Sequence, residues 1–320
     1  MRHLVALYGL RVSSPVPLPA PTVTEEGATP DVVVHFGVGP PGAHRWPASV
    51  GEVVHETENR INGVPMLVAD RPIAAMLRLR YAEGIQFHVA RGGHEVWAEW
   101  HPPLTTADAI SFLLGPVMGA VLREFGVMVL HASALVLDGR AWAFVGAGGS
   151  GKSTLAAAGA SAGLAVLTED VLALRPSAAG WSASPAYDQI RLWDSGAGLV
   201  TAPGEELPPL TPSWPKRAFD LASRGLASSS VPSPLGGIFV LHSRAAPGTP
   251  AVVEPLGAAE ALADLVAHGY VNYLLDPSAQ GRELMALAAL VRAVPVRRLV
   301  AGTGRDGLQE TISLLRSVTL

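Results

Sequence analysis

Residues 146–153 read Gly-Ala-Gly-Gly-Ser-Gly-Lys-Ser, which satisfies the spacing G-x-x-x-x-G-K-[ST] at every fixed position. That spacing serves one kind of chemistry. Small residues at Gly146, Gly148, Gly149, Ser150 and Gly151 let a loop turn tightly, so that its backbone N–H groups face a phosphate chain. Lys152 reaches the β- and γ-phosphates, the Ser153 hydroxyl ligates Mg²⁺, and Thr154 opens a helix whose N-terminus adds its dipole. The expected ligands are therefore a nucleoside triphosphate and Mg²⁺. The chain has 23 basic side chains but only two lysines, Lys152 and Lys216, so a compact ammonium stands where the loop needs one.

A second group of charged residues follows. Glu169 and Asp170 end a short apolar run, 17 and 18 residues beyond Lys152. Nucleotide chemistry needs one carboxylate to hold the metal, and a second can orient or deprotonate an acceptor hydroxyl. The alternative is a solvated acidic turn, which the phosphate loop upstream argues against. His131 lies inside an apolar segment, Val129-Leu130-His131-Ala132-Ser133. Alone it reads as a satisfied structural histidine, and it gains a role only if its strand runs beside the loop. Asp188, Gln189 and Arg191 form a polar cluster between apolar anchors. Arg191 either stabilises charge on a transferring phosphoryl group or belongs to an ordinary edge strand; Arg217 and Arg244 are weaker candidates for the same role.

These residues need a scaffold. An apolar run before the loop, 141–145, and the helix formers after it predict strand, loop and helix in that order. Strands are expected at 127–137, 164–167, 237–241 and 296–299, with a further apolar stretch at 171–174, and helices near 257–268, 278–292 and 306–317. Thr105 and the residues after it predict a capped helix to about residue 124, kinked at Gly115-Pro116. Residues 1–103 read as a β-rich domain for substrate recognition or oligomer contact, with strands at 32–36, 65–68, 76–81, 85–89 and 95–100 and a turn at 91–94. Residues 13–30 read as loop, and 201–235, rich in Pro, Ser and Gly, as a mobile lid. The catalytic domain would span 104–320.

Composition narrows the class. A net charge of −4 argues against nucleic acid as a partner. The absence of cysteine removes disulfides, thiolate metal sites and cysteine nucleophiles. The longest apolar run, 110–122, is interrupted by Gly115-Pro116 and is too short to predict a membrane span. The first residues have too short an apolar run for a secretion signal. A cytoplasmic protein is expected, with homo-oligomerisation as one role open to residues 1–103.

Taken together, His131-Ala132-Ser133-Ala134-Leu135, Gly151-Lys152-Ser153 and Leu167-Thr168-Glu169-Asp170-Val171 resemble the HPr serine kinase family. The similarity spans roughly residues 125–300 and is densest over 128–175. It implies an α/β phosphate-loop kinase fold of the type shared with phosphoenolpyruvate carboxykinases. It also implies transfer of the γ-phosphate of ATP to a serine hydroxyl. By that resemblance Glu169 takes the place of the base, Asp170 that of the metal ligand beside Ser153, and His131 that of the histidine near the reacting centre. This sequence departs from the family in having Glu at the first acid, in lacking the glycine-rich signature that follows, and in its N-terminal region. The segment Tyr187-Asp188-Gln189-Ile190-Arg191-Leu192-Trp193 looks like that of HPr-kinase-like proteins in lasso peptide biosynthesis, which implies a precursor peptide as acceptor, phosphorylated on its C-terminal serine. A small-molecule hydroxyl kinase and a nucleotide-sensing regulator are the other readings.

Overall fold

The computed structural model describes residues 2–25, 27–46, 51–178 and 180–318, without the side chains of Arg45, Ser243 and Arg244. Two eight-stranded sheets dominate it. The first is built almost wholly from residues 3–100. Its strand order is His3–Leu7, Leu10–Ser14, Val32–Phe36, Glu95–Trp100, Ile85–Ala90, Met76–Tyr81, Leu67–Ile73 and Glu52–Glu56. Three strands match the expected bounds, and the Gly92-Gly93 turn sits where it was expected, with both glycines at positive φ. The opening hairpin was not anticipated. It turns at Tyr8 and Gly9, with φ of 56° and 76°, and Tyr8 is an unusual residue for that conformation.

Thr105 caps the next helix reciprocally with Asp108. The helical stretch runs as Thr106–Phe112, a wider turn Leu113–Val117, and Met118–Glu124. Pro116 removes a backbone donor, and Gly115 leaves the helical region at φ −103°, ψ −108°. The stretch 106–124 is long and apolar enough to cross a membrane, and 72% of its apolar window is buried within the protein. Phe112, Leu113, Val117 and Val121 pack into one core with Val34, Phe87 and Val96 of the first sheet and with Val129 and Val171 of the second. The helix therefore joins the two sheets through a shared interior.

The second sheet carries the glycine-rich loop 146–153. Across its centre run Val252–Pro255, Val296–Ala301, Ser233–Arg244, Arg140–Gly146, Met128–Leu137 and Ala165–Thr168. The strands 140–146, 233–244 and 296–301 are parallel neighbours, while 128–137 runs against its partners. Helices cover both faces. Lys152–Ser161, Asp194–Val200 and Gly304–Val318 pack over Leu135, Phe144, Phe239 and Leu299. Ala258–Ala267 and Pro277–Ala293 cover Leu130, Ala132, Val145 and Val240 on the other. Strands buried on both faces explain the unbroken apolar run Ala141–Val145.

Residues 201–235 are not one mobile lid. They contain the strand Lys216–Asp220, paired antiparallel with Gln189–Trp193. Ser229 is also tied to Val166 by a backbone hydrogen bond of 2.8 Å. The Pro- and Ser-rich composition masked a strand that is needed to hold Arg191.

Candidate active site

The site forms where three strands of the second sheet meet. The 128–137 strand lies between the strand leading into the loop and the strand leading into the acidic pair: Ala132 is opposite Val145, Ala134 opposite Thr168. The acids are thus one strand removed from the loop's own strand. Alternation in the middle strand puts His131, Ser133 and Leu135 on one face. The helix 152–161 covers that face. Leu135 lies so close to Gly159 that a Cβ there would be 2.3 Å from it. Ser133 Oγ donates to the Lys152 carbonyl at 3.0 Å. The strand neighbourhood that His131 required is therefore present.

The loop is shaped as its glycines require. Gly146, at φ 157°, passes 2.7 Å from the Leu241 carbonyl as measured from where a Cβ would stand, so no larger residue fits. Gly151 precedes the helix at φ 104° and gives it no side-chain cap. The first N–H groups of this helix are therefore free to face an anion. Positions 148 and 149 open onto empty space. Ser150 Oγ is buried without a hydrogen-bond partner among the described residues. Lys152 is 7% exposed and donates to the carbonyls of Gly146 and Ala147 at 2.6 and 3.0 Å. Burial pushes its pKa down to about 8, partly offset by Asp170 and Glu169.

The acidic pair is organised by Arg191. Its Nε donates to Glu169 Oε2 at 3.2 Å and its Nη2 to Asp170 Oδ2 at 2.9 Å. Nη1 donates to the Ser111 carbonyl at 3.2 Å, next to the helix kink. Arg191 is 4% exposed, so it is no edge-strand surface residue. Glu169, 3% exposed, also accepts from Ser153 Oγ at 2.7 Å and from Tyr187 OH at 3.3 Å. Asp170 is more open, with 19% of its side chain exposed, and sits at φ 71°, unusual for a residue with a side chain. It accepts from Tyr270 OH at 2.8 Å, and His131 Nδ1 lies 3.7 Å from its other oxygen. Burial pushes the Asp170 carboxyl up, but Arg191, His131 and the Tyr270 hydrogen bond together hold it below its ordinary value. Burial and Lys152 lower the His131 pKa against the pull of Asp170, which keeps the ring neutral near pH 7.

Most of the sequence-predicted residues come together here. A cleft of about 370 Å³ is lined by His131, Gly148, Gly149, Gly151, Lys152, Ser153, Thr154, Glu169, Asp170 and Arg191. Gly146 faces a neighbouring cleft of about 490 Å³, which shares His131 and Gly148 with the first and is closed by Pro116, His268, Tyr270 and Asn272. A further, apolar groove of about 510 Å³ lies beyond Asn272 and Tyr273, away from the acidic pair. Arg217 is not part of the site: its Nε pairs with Asp194 on the outer surface at 2.6 Å. Asp188 and Gln189 do not line either cleft. The Arg244 side chain lies outside the described residues.

Sequence reasoning missed Tyr270, Tyr187, Gly115 and Lys216. A Cβ on Gly115 would stand 3.1 Å from Asp170 Oδ2 and 3.2 Å from Tyr270 OH, so the helix kink borders the acidic pair. Tyr270 precedes Val271, a β-branched residue held at φ 46°. No spacing pattern marks either.

The donor set suits a hard cation. Ser153 Oγ and the Glu169 carboxylate are oxygen ligands side by side. The uncapped helix N-terminus and the open glycine positions suit a phosphate chain. No protein-family model matches the chain, and no curated protein matches it. Among solved structures, the Hpr(Ser) kinase/phosphatase from Coxiella burnetii is similar over 59% of this chain and 95% of its own, at 15% identity and a TM-score of 0.32.

Proposed function

We propose that the protein is an ATP-dependent phosphotransferase that delivers the γ-phosphate to a serine or threonine hydroxyl of a peptide. The observation that carries this reading is the chain of contacts from Ser153 through Glu169 and Arg191 to Asp170. It joins a phosphate loop to a second, more accessible carboxylate. A protein that only binds a nucleotide has no need of the second acid.

Contacts divide the roles of the acids. Glu169 touches the Ser153 hydroxyl and is nearly inaccessible, so it belongs with the metal. Asp170 is open to the cleft, so it is the group an acceptor hydroxyl reaches. This reverses the assignment that the family resemblance implies. Mg²⁺ held by Ser153 and Glu169 supplies charge neutralisation on the phosphates. Lys152 leaves the loop carbonyls for the β- and γ-phosphate oxygens. Asp170 accepts the acceptor's proton as that oxygen bonds to the γ-phosphorus, while the bond from phosphorus to the β-γ bridging oxygen breaks and ADP leaves. Arg191 and Tyr270 hold Asp170 in place, and neutral His131 offers a hydrogen bond beside it.

The 490 Å³ cleft beside His131, which borders the loop at Gly146, Ala147 and Gly148, has room for the acceptor. A ribosomal precursor peptide with a C-terminal serine is the specific acceptor we favour, on the resemblance of residues 187–193. The test is incubation with MgATP labelled in the γ-phosphate and serine-terminated peptides, followed by mass spectrometry of the acceptor. Labelled serine supports the proposal. Turnover of ATP with no peptide labelled, across varied sequences, would remove the peptide assignment.

A further inference from the structure

The two lysines of the chain, 64 positions apart in sequence, line the same cleft. Lys216 pairs in register with Trp193, and Ala218 with Arg191, in the small sheet formed by Gln189–Trp193 and Lys216–Asp220. Alternation puts Arg191, Trp193 and Lys216 on its cleft face and Arg217 on the other, where Arg217 finds Asp194. The three cations of the cleft are differently employed. Arg191 is committed to Glu169, Asp170 and the Ser111 carbonyl. Lys152 is inside the loop. Lys216 has no carboxylate partner among the described residues; its Nζ lies 5.3 Å from the centroid of the Trp193 ring. That indole is 51% exposed, and a cation–π contact at so exposed a place holds an ammonium weakly. The Lys216 charge nevertheless bears on the site, since it lowers the pKa of both Lys152 and Asp170.

We propose that Lys216 is a second phosphate-binding cation of the cleft, parked on Trp193 until a phosphate chain arrives and then transferred to it. The inference rests on the phosphotransferase reading and adds to it a residue from the segment 201–235. A compact, mobile ammonium on a four-carbon stem suits this task, whereas the committed guanidinium of Arg191 does not. The swing also leaves the Trp193 face uncovered at the cleft mouth.

The experiment is calorimetric titration of the full chain with inorganic tripolyphosphate and Mg²⁺, for the wild type, Lys216→Met and Lys216→Arg. Lys216→Met should weaken binding about tenfold or more, the size of one charge-assisted contact, and Lys216→Arg should recover much of that loss because the charge returns. In parallel, tripolyphosphate should change the tryptophan emission of the wild type and do so markedly less in Trp193→Phe. Wild-type affinity in Lys216→Met, or an emission change undiminished in Trp193→Phe, would overturn the proposal while leaving the phosphotransferase reading intact. If the wild type binds no tripolyphosphate, the phosphotransferase reading itself fails, and this inference with it.

Discussion

Ser153 Oγ donates to Glu169 Oε1 at 2.7 Å, while Asp170, the next residue, turns to Tyr270 and His131 instead. The left-handed backbone of Asp170 separates the two side chains. Beyond the Arg191 they share, the neighbouring acids have different partners, and substitutions at them should fail differently. Glu169→Gln should raise the Mg²⁺ concentration needed for half-maximal turnover by about tenfold or more, since it weakens a metal ligand. Asp170→Asn should leave MgATP binding near normal and lower kcat by roughly 10²–10⁴-fold, as expected for loss of a general base. Magnesium titrations of initial rate, beside nucleotide affinities, separate the two. The reverse pattern would restore the opposite assignment.

Arg191 holds both acids from one side. Removing it would leave the buried Glu169 and the partly exposed Asp170 without their shared counter-charge. Arg191→Met should abolish turnover and destabilise the protein by about 3–5 kcal/mol, the scale for breaking a buried ion pair by deleting one partner. Arg191→Lys should rescue little activity, because one ammonium cannot donate to Glu169, Asp170 and the Ser111 carbonyl in the fork geometry seen here. Denaturant melts and rates on the same samples test both statements.

How legible was this site in the sequence? The strand, glycine loop and helix were legible as geometry, because the expected motif fixes residue type and spacing within eight contiguous positions. Glu169, Asp170 and His131 were legible as candidates, and strand pairing brings all three to one cleft. Arg191 was undecided because its partners are 21 and 22 residues away and 80 residues upstream at Ser111. Tyr270 was invisible, since a tyrosine 100 residues from Asp170 carries no local signal. Gly115 was read correctly as a kink, but not as a neighbour of the acids. Among the scaffold elements, the long periodic helices and the doubly buried strands came through. The strands 52–56 and 216–220, both of mixed polarity and the second directly after Pro215, did not.

The Gly115 kink yields its own test. A methyl group there would crowd Asp170 Oδ2 and Tyr270 OH at 3.1 and 3.2 Å. Gly115→Ala should therefore displace the acid that faces the acceptor without touching the phosphate loop. We expect kcat to fall about tenfold, in line with small misplacements of a reacting group, with the affinity for MgATP unchanged. Equal kcat in the variant would show that the kink only serves packing.

Lys152 sets a pH limit. Its pKa is pushed down to about 8, chiefly by burial. The charged ammonium is the form that binds phosphate, so it is lost as pH rises through about 8 in the free protein. The quotient kcat/KM, which reports free-enzyme ionisations, should decline above that pH. The limb in kcat should lie higher, because bound phosphates favour the charged form. A pH series at fixed free Mg²⁺ measures both limbs, and coincident limbs would point to another group.

His88, in the first sheet, makes its own contribution to acid sensitivity. The ring is 2% exposed, and its Nδ1 has no hydrogen-bond partner among the described residues, the Glu99 carboxylate lying 3.7 Å away. Burial, reinforced by Arg78 and opposed by Asp70, lowers its pKa to about 4. In the unfolded chain an ordinary histidine titrates near pH 6.5, so between about 6.5 and 4 the unfolded state carries the extra proton. Stability contributed by neutral His88 is therefore present above pH 6.5 and lost as pH falls towards 4, by about 3 kcal/mol in all. His88→Gln should flatten that part of the stability profile by about one proton, whatever it does to stability at pH 7. Urea midpoints at half-unit pH steps measure the slope, and an unchanged slope would place the acid sensitivity on another buried group.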